Sequence, residues 1–155
     1  MQYVSEQVSQ LDQTIRRRIL ESYNLEKYME EHIDSTNYLF RVMKYEGPQT
    51  TETQLGLPTH SDVDMATILY QNQVDGLEVR TKNGEWIQLK PSPASFTAWT
   101  NGQLYAPHHR VMMTGNQVRY SAGLFSMPKK RPETLSCFNL MLCFLNIRGF
   151  VTQFR

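Results

Sequence analysis

At 155 residues and a formal net charge of +1, the chain suits one domain with a sizeable core. It has no general electrostatic attraction to nucleic acid or to a membrane surface. Its start carries no basic region followed by an apolar run, as a secretory signal would, and no stretch reaches the roughly 18 apolar residues of a spanning helix, so a cytoplasmic protein is expected.

In chain order, Val4, Val8, Leu11, Ile15 and Ile19 recur at steps of three and four. This is the period of an amphipathic helix, with Arg16, Arg17 and Arg18 expected largely toward water. Such a face reads as packing, not as a cofactor box. Asn24 is placed to cap a short second helix through Leu25, Tyr28, Met29 and His32, with His32 a surface or structural residue and not a ligand. Pro48 closes a strand that carries Tyr45. Leu77–Arg80 and Glu85–Leu89 flank Thr81-Lys82-Asn83-Gly84, a strong hairpin signal. Helices first and short strands afterwards predict an α+β, mainly β fold: a jelly-roll core with N-terminal helices. Cys137 and Cys143 form no recognisable disulfide or zinc pattern, and no internal repeat stands out.

Two motifs carry chemistry. His60 and Asp62 stand two apart, so an extended segment points both to one side, where they can grip one ion. His109 follows 47 residues after Asp62. Two imidazoles and a carboxylate form the facial ligand set of non-haem Fe(II) oxygenases, which leaves three positions open. The plain alternative is an ordinary polar pair on a loop or strand. The second motif lies in Val118–Phe125, which alternates as a strand with Val118, Tyr120, Ala122 and Leu124 on one face and Arg119, Ser121 and Gly123 on the other. An arginine fork beside a hydroxyl suits a carboxylate; the alternative is a solvent-facing arginine.

Taken in order, His60-x-Asp62, Asn101-Gly102 ahead of His109-Arg110-Val111, and Arg119-x-Ser121 resemble the plant 2-oxoglutarate/Fe(II)-dependent dioxygenases. The stretch Arg41–Pro48 is similar to the family segment in which an Asn-x-Tyr precedes a proline turn; Tyr45 matches, and Met43 replaces the asparagine. Leu55–His60, Ile68–Asn72 and Asp75–Arg80 resemble the subgroup of glucosinolate alkenyl- and hydroxyalkyl-producing and auxin-oxidising enzymes. The likeness covers roughly residues 1 to 129.

The resemblance implies that His60, Asp62 and His109 hold Fe(II). Arg119 and Ser121 would bind the distal carboxylate of 2-oxoglutarate with Tyr45 assisting, and ascorbate is a candidate reductant. His108 is the rival to His109, which directly precedes Arg110-Val111 as the family's ligand does. The implied reaction oxidises a small plant metabolite by hydroxylation or desaturation, with dioxygen consumed and 2-oxoglutarate converted to succinate. No nucleic acid, membrane or obligate protein partner is implied.

Departures from the pattern define the organisation: a helical segment over 1–33, the dioxygenase jelly roll over 34–128, and a non-family tail over 129–155. Eight or nine residues are missing near 97–100, so a core strand is expected to be shortened or absent. Complete members carry a further N-terminal region, so the frame reads as incomplete. The alternative function is therefore an impaired or inactive fragment that at most binds metal, co-substrate or a partner. A zinc hydrolase is a third reading, but it leaves Arg119-x-Ser121 without a task.

Overall fold

In the computed structural model, residues 2–62, 64–90, 95–100, 107–129 and 145–148 are described. Helix α1 spans Gln2–Ser22, with Val8, Leu11, Ile15 and Leu20 buried. Val4, expected on that face, is exposed. The helix ends in a Schellman arrangement: Leu25 N–H donates to the Leu20 carbonyl and Asn24 N–H to that of Glu21, with Asn24 at φ 56°. Asn24 therefore stops the first helix and does not cap the second, since its short side chain tolerates the left-handed conformation that such an end requires. A 3-10 turn, Glu26–Tyr28, leads into α2, Met29–Asp34.

Two antiparallel sheets follow. The larger has the order β1 (Thr36–Tyr45), β8 (Arg119–Pro128), β3 (Ala66–Gln71), β6 (Ser95–Thr100) and β9 (Leu145–Arg148). The smaller has β2 (Gln54–His60), β7 (His109–Met113), β4 (Leu77–Arg80) and β5 (Trp86–Gln88). This is the expected jelly roll, and the hairpin turn stands at Gly84, φ 87°. Next to β3, where a strand was expected to be shortened or absent, β6 pairs over Ala66↔Thr100 to Leu69↔Thr97. The two cysteines and most of the expected non-family tail lie outside the described residues.

Each face of the larger sheet has its own core. On the outer face, Val8, Leu11 and Ile15 of α1 meet Ile68 and Leu124, with Ile19, Tyr38 and Phe40 packed alongside. Between the sheets, Leu69, Leu77, Val111 and Met113 cluster with Met43, Tyr45 and Leu57. The alternation expected in β8 follows from this. Arg119, Ser121 and Gly123 point between the sheets, while Leu124 points to the helix and Tyr120 to solvent.

One charge reading is corrected. Arg16 is 3 % exposed and does not face water. A buried acid one turn earlier on the same face, Asp12, draws it inward through an ion pair of 2.7 Å, which satisfies the rule that a buried charge needs a partner.

Candidate metal and carboxylate site

Pairing of β2 with β7 sets His60 opposite His109, and the rings lie 4.2 Å apart at 56°. Register shifts between Leu55 and Leu57 and between Leu57 and His60 bend β2 just before the histidine, the place where bulges commonly re-aim a side chain. Each imidazole is oriented from behind. His60 Nδ1 is 2.8 Å from the Pro58 carbonyl oxygen, and His109 Nδ1 is 3.3 Å from that of Pro107. A carbonyl can only accept, so Nδ1 carries the hydrogen, and in the neutral ring Nε2 is then the atom with the free lone pair. Carbonyls that hold ligating histidines in this way are the usual support of metal sites.

Both Nε2 atoms face Asp62, at 3.5 Å from Oδ1 for His60 and 3.6 Å from Oδ2 for His109. The ligand atoms of His60, Asp62 and His109 all lie within 4.8 Å of one another. Burial holds the His109 pKa below the ordinary histidine value, against the opposing pull of Asp62, and neutral imidazole is the form that ligates. His108, the rival, precedes the strand and is exposed. The reason for the His60–Asp62 juxtaposition differs from expectation. Strand β2 ends at His60, so the period-2 rule does not place Asp62.

Asp62 is held from β3, by residues that carried no signal in isolation. Thr67 Oγ1 lies 3.2 Å from Asp62 Oδ2 and is also bonded to Asp64 Oδ2. Burial, opposed by the Thr67 bond, pushes the Asp64 carboxyl up to about 7. When protonated, Asp64 donates to Thr67 and leaves the Thr67 hydrogen for Asp62. Alternation of Thr67, Leu69 and Gln71 along one face of β3 was the signal that could have found this support.

Deeper on the same inner face, Arg119 is 1 % exposed and lies opposite Tyr45, whose ring centroid is 5.1 Å from the guanidinium carbon. Its Nη2 donates to Gln71 Oε1. Among the described residues, Arg119 Nε and Nη1 and Ser121 Oγ have no hydrogen-bond partner. Burial lowers the Arg119 pKa, and Tyr45 opposes that shift. The solvent-facing reading of Arg119 is thus excluded. Buried polar groups left without partners cost about 1–3 kcal/mol each, and a bound carboxylate would satisfy all three.

Asp64 gives the first test. Its folded pKa of about 7 lies above the unfolded value of 3.8, so its contribution to stability is full below pH 4 and is lost as pH rises through 7. His32, lowered by burial to about 4, works oppositely, so the readout is a difference. Without metal, Asp64→Asn is expected to gain on the parent by about 3–4 kcal/mol between pH 4 and pH 8 in urea unfolding. A difference that stays flat with pH contradicts this.

Residues 30–128 match the 2OG-Fe(II) oxygenase superfamily. The chain is 51 % identical over 137 residues to a probable 2-oxoglutarate-dependent dioxygenase, AOP1, of Arabidopsis thaliana, covering 81 % of this chain and 46 % of that protein. The chain thus spans about half the length of this relative. Among solved structures, it is similar to JOX2 in complex with 2OG, Fe and JA, with a TM-score of 0.73 and 27 % identity over 90 % of this chain and 48 % of that one. It is also similar to the dioxygenase for auxin oxidation 1 from Arabidopsis thaliana, in its 2-oxoglutarate complex, with a TM-score of 0.68 and 28 % identity over 78 % and 48 %.

Proposed function

Because the chain belongs to the 2OG-Fe(II) oxygenase superfamily, we propose that it forms the catalytic core of a plant 2-oxoglutarate-dependent dioxygenase acting on a small metabolite. His60, Asp62 and His109 hold the iron, and Arg119 and Ser121 hold the distal carboxylate of 2-oxoglutarate beside Tyr45. The observation that carries this reading is the pairing, in one interior, of the two-histidine, one-carboxylate group with three unsatisfied donors suited to a carboxylate. A hydrolytic zinc site would give those donors no work.

When bound, iron and 2-oxoglutarate supply dioxygen activation coupled to decarboxylation to succinate. The chain's own residues orient and shield. Pro58 and Pro107 carbonyls fix both imidazoles with Nε2 forward, and Thr67 steadies Asp62. Leu69, Leu77 and Val111 line the space between the sheets with apolar surface, which excludes water and strengthens each polar contact. The catalytic jelly roll is assigned to 34–128 and its helical support to 1–33, with 129–155 outside the family pattern. Ascorbate as reductant, specialised metabolism and a cytoplasmic setting complete the reading; no helix among the described residues is long and apolar enough to cross a membrane. A second reading is a catalytically impaired dioxygenase that binds metal and co-substrate without efficient turnover, favoured by the eight or nine residues missing from the family pattern near 97–100.

Anaerobic addition of Fe(II) and 2-oxoglutarate together is expected to give the weak visible charge-transfer band of the chelate and to raise the melting temperature more than either does alone. A folded sample with neither response sinks both readings. Succinate formation coupled to oxidation of a substrate then separates them, since only the first reading expects it.

A further inference from the structure

Met43 stands inside the carboxylate clamp and has no part in the chemistry assigned above. The register sets Met43 opposite Ser121 and Tyr45 opposite Arg119, and β3 places Gln71 on the other side of Ser121. Met43, Tyr45 and Leu69 belong to the core between the sheets, so the thioether shares the inner face with the clamp. Tyr45 Oη donates to Met43 Sδ at 3.5 Å, while the Tyr45 ring lies over the Arg119 guanidinium.

The clamp is short of acceptors. Gln71 Oε1 takes Arg119 Nη2, which leaves Arg119 Nε, Arg119 Nη1 and Ser121 Oγ without hydrogen-bond partners among the described residues. A thioether sulfur is a weak acceptor, so the bond from Tyr45 is a poor one. Methionine commonly serves as a pliable core filler, and Met113 of the same core, at 1 % exposed, fits that description. Met43 differs in two respects. It is only partly buried, on an edge strand, and its sulfur already meets a hydroxyl of the clamp.

Hydrogen peroxide can turn this sulfur into the missing acceptor. Attack of the sulfur lone pair on peroxide breaks the O–O bond and forms an S–O bond, with the second oxygen leaving as water; sulfur loses two electrons and peroxide gains them. The product is a neutral side chain with a strongly accepting oxygen at the place where Tyr45 Oη now meets sulfur, in the row of Ser121. A sulfoxide disrupts an ordinary apolar core, whereas here it meets donors that are already buried and unsatisfied. Resting on the co-substrate assignment above, we propose that Met43 is a reversible peroxide-oxidation site whose sulfoxide takes the clamp's donors and lowers its affinity for 2-oxoglutarate.

The test treats the metal-free full chain with hydrogen peroxide, removes the peroxide with catalase, and locates added oxygen by peptide mass spectrometry. With zinc in place of oxygen-sensitive iron, 2-oxoglutarate affinity is then measured by NMR titration. Met43 is expected to gain one oxygen, and 2-oxoglutarate to bind about tenfold more weakly, the effect of one hydrogen bond to a charged group. Methionine sulfoxide reductase restores the affinity. Met43→Leu, compared before and after treatment, keeps its own affinity, although Met65, Met112 and Met127 are also partly exposed. On treatment, the melting temperature of the metal-free parent falls no further than that of Met43→Leu. Met43 left unoxidised while those three are oxidised, an equal affinity loss in Met43→Leu, or a larger melting-temperature fall in the parent overturns the proposal. Unchanged affinity with Met43 oxidised sinks this inference and leaves the co-substrate assignment standing. Absence of 2-oxoglutarate binding by the untreated parent sinks that assignment, and the melting comparison still decides whether the sulfoxide takes the donors.

Discussion

Arg119→Met is expected to lower 2-oxoglutarate affinity by two orders of magnitude or more while leaving the metal-free protein at least as stable as the parent. The two effects have one cause. Arg119 is buried with Nε and Nη1 unpartnered among the described residues, so folding alone bears the desolvation of two donors. Each hydrogen bond to a charged group contributes about 1.5–3 kcal/mol, and two of them correspond to roughly 10²–10⁴ in affinity. Methionine fills much of the same volume with no donor to satisfy, and such replacements of buried charge are often neutral or stabilising. Arg119→Lys keeps the charge, loses the planar fork, and is expected to cost about tenfold. Anaerobic titration of the Fe(II) protein gives the affinities, and urea unfolding gives the stability. An unchanged affinity moves Arg119 to a purely structural role. A loss of several kcal/mol of stability shows that the guanidinium is a strut.

Asp12→Ala is expected to destabilise the fold by about 3–5 kcal/mol, the usual cost of removing one partner of a buried ion pair. Asp12 accepts from Ser126 Oγ at 2.7 Å and from Tyr38 Oη at 2.9 Å, besides its ion pair with Arg16. Arg16 in turn donates to Thr36 Oγ1 at 2.9 Å and Tyr38 Oη at 2.8 Å. One carboxylate thus ties α1 to β1 and to β8, the strand that carries Arg119 and Ser121. Its removal strands a buried guanidinium and two hydroxyls. Asp12→Asn keeps the shape and is expected to lose less. Urea unfolding that shows a change under about 1 kcal/mol for the alanine variant refutes this account of how the helix is anchored.

Local pattern and residue type made several features legible before any coordinates. The 3.6-residue period of Val8, Leu11 and Ile15 requires a helix with one apolar stripe. The Asn83-Gly84 turn signals its hairpin through the left-handed preference of glycine. The alternation through Arg119 to Gly123 separates two faces because strand side chains alternate. Histidine, aspartate, arginine and serine at their spacings named a chemistry, since few other residues can ligate a divalent cation or fork onto a carboxylate.

What periodicity could not convey was which face is inside and what stands across from it. Arg16 and Arg17 are neighbours in a basic run, yet only Arg16 is buried, because Asp12 one turn earlier on α1 and Thr36 and Tyr38 of β1 surround it. Asn24 carries the same side chain as a helix cap or a helix stop; the backbone bonds from Asn24 and Leu25 decided for the stop. Asp62 lies past the end of β2, and its position depends on Thr67, a partner on another strand. Burial, pairing and register are relations between segments distant in the chain. A single sequence shows the residues that could take part in them, and only the tertiary structure shows which ones meet.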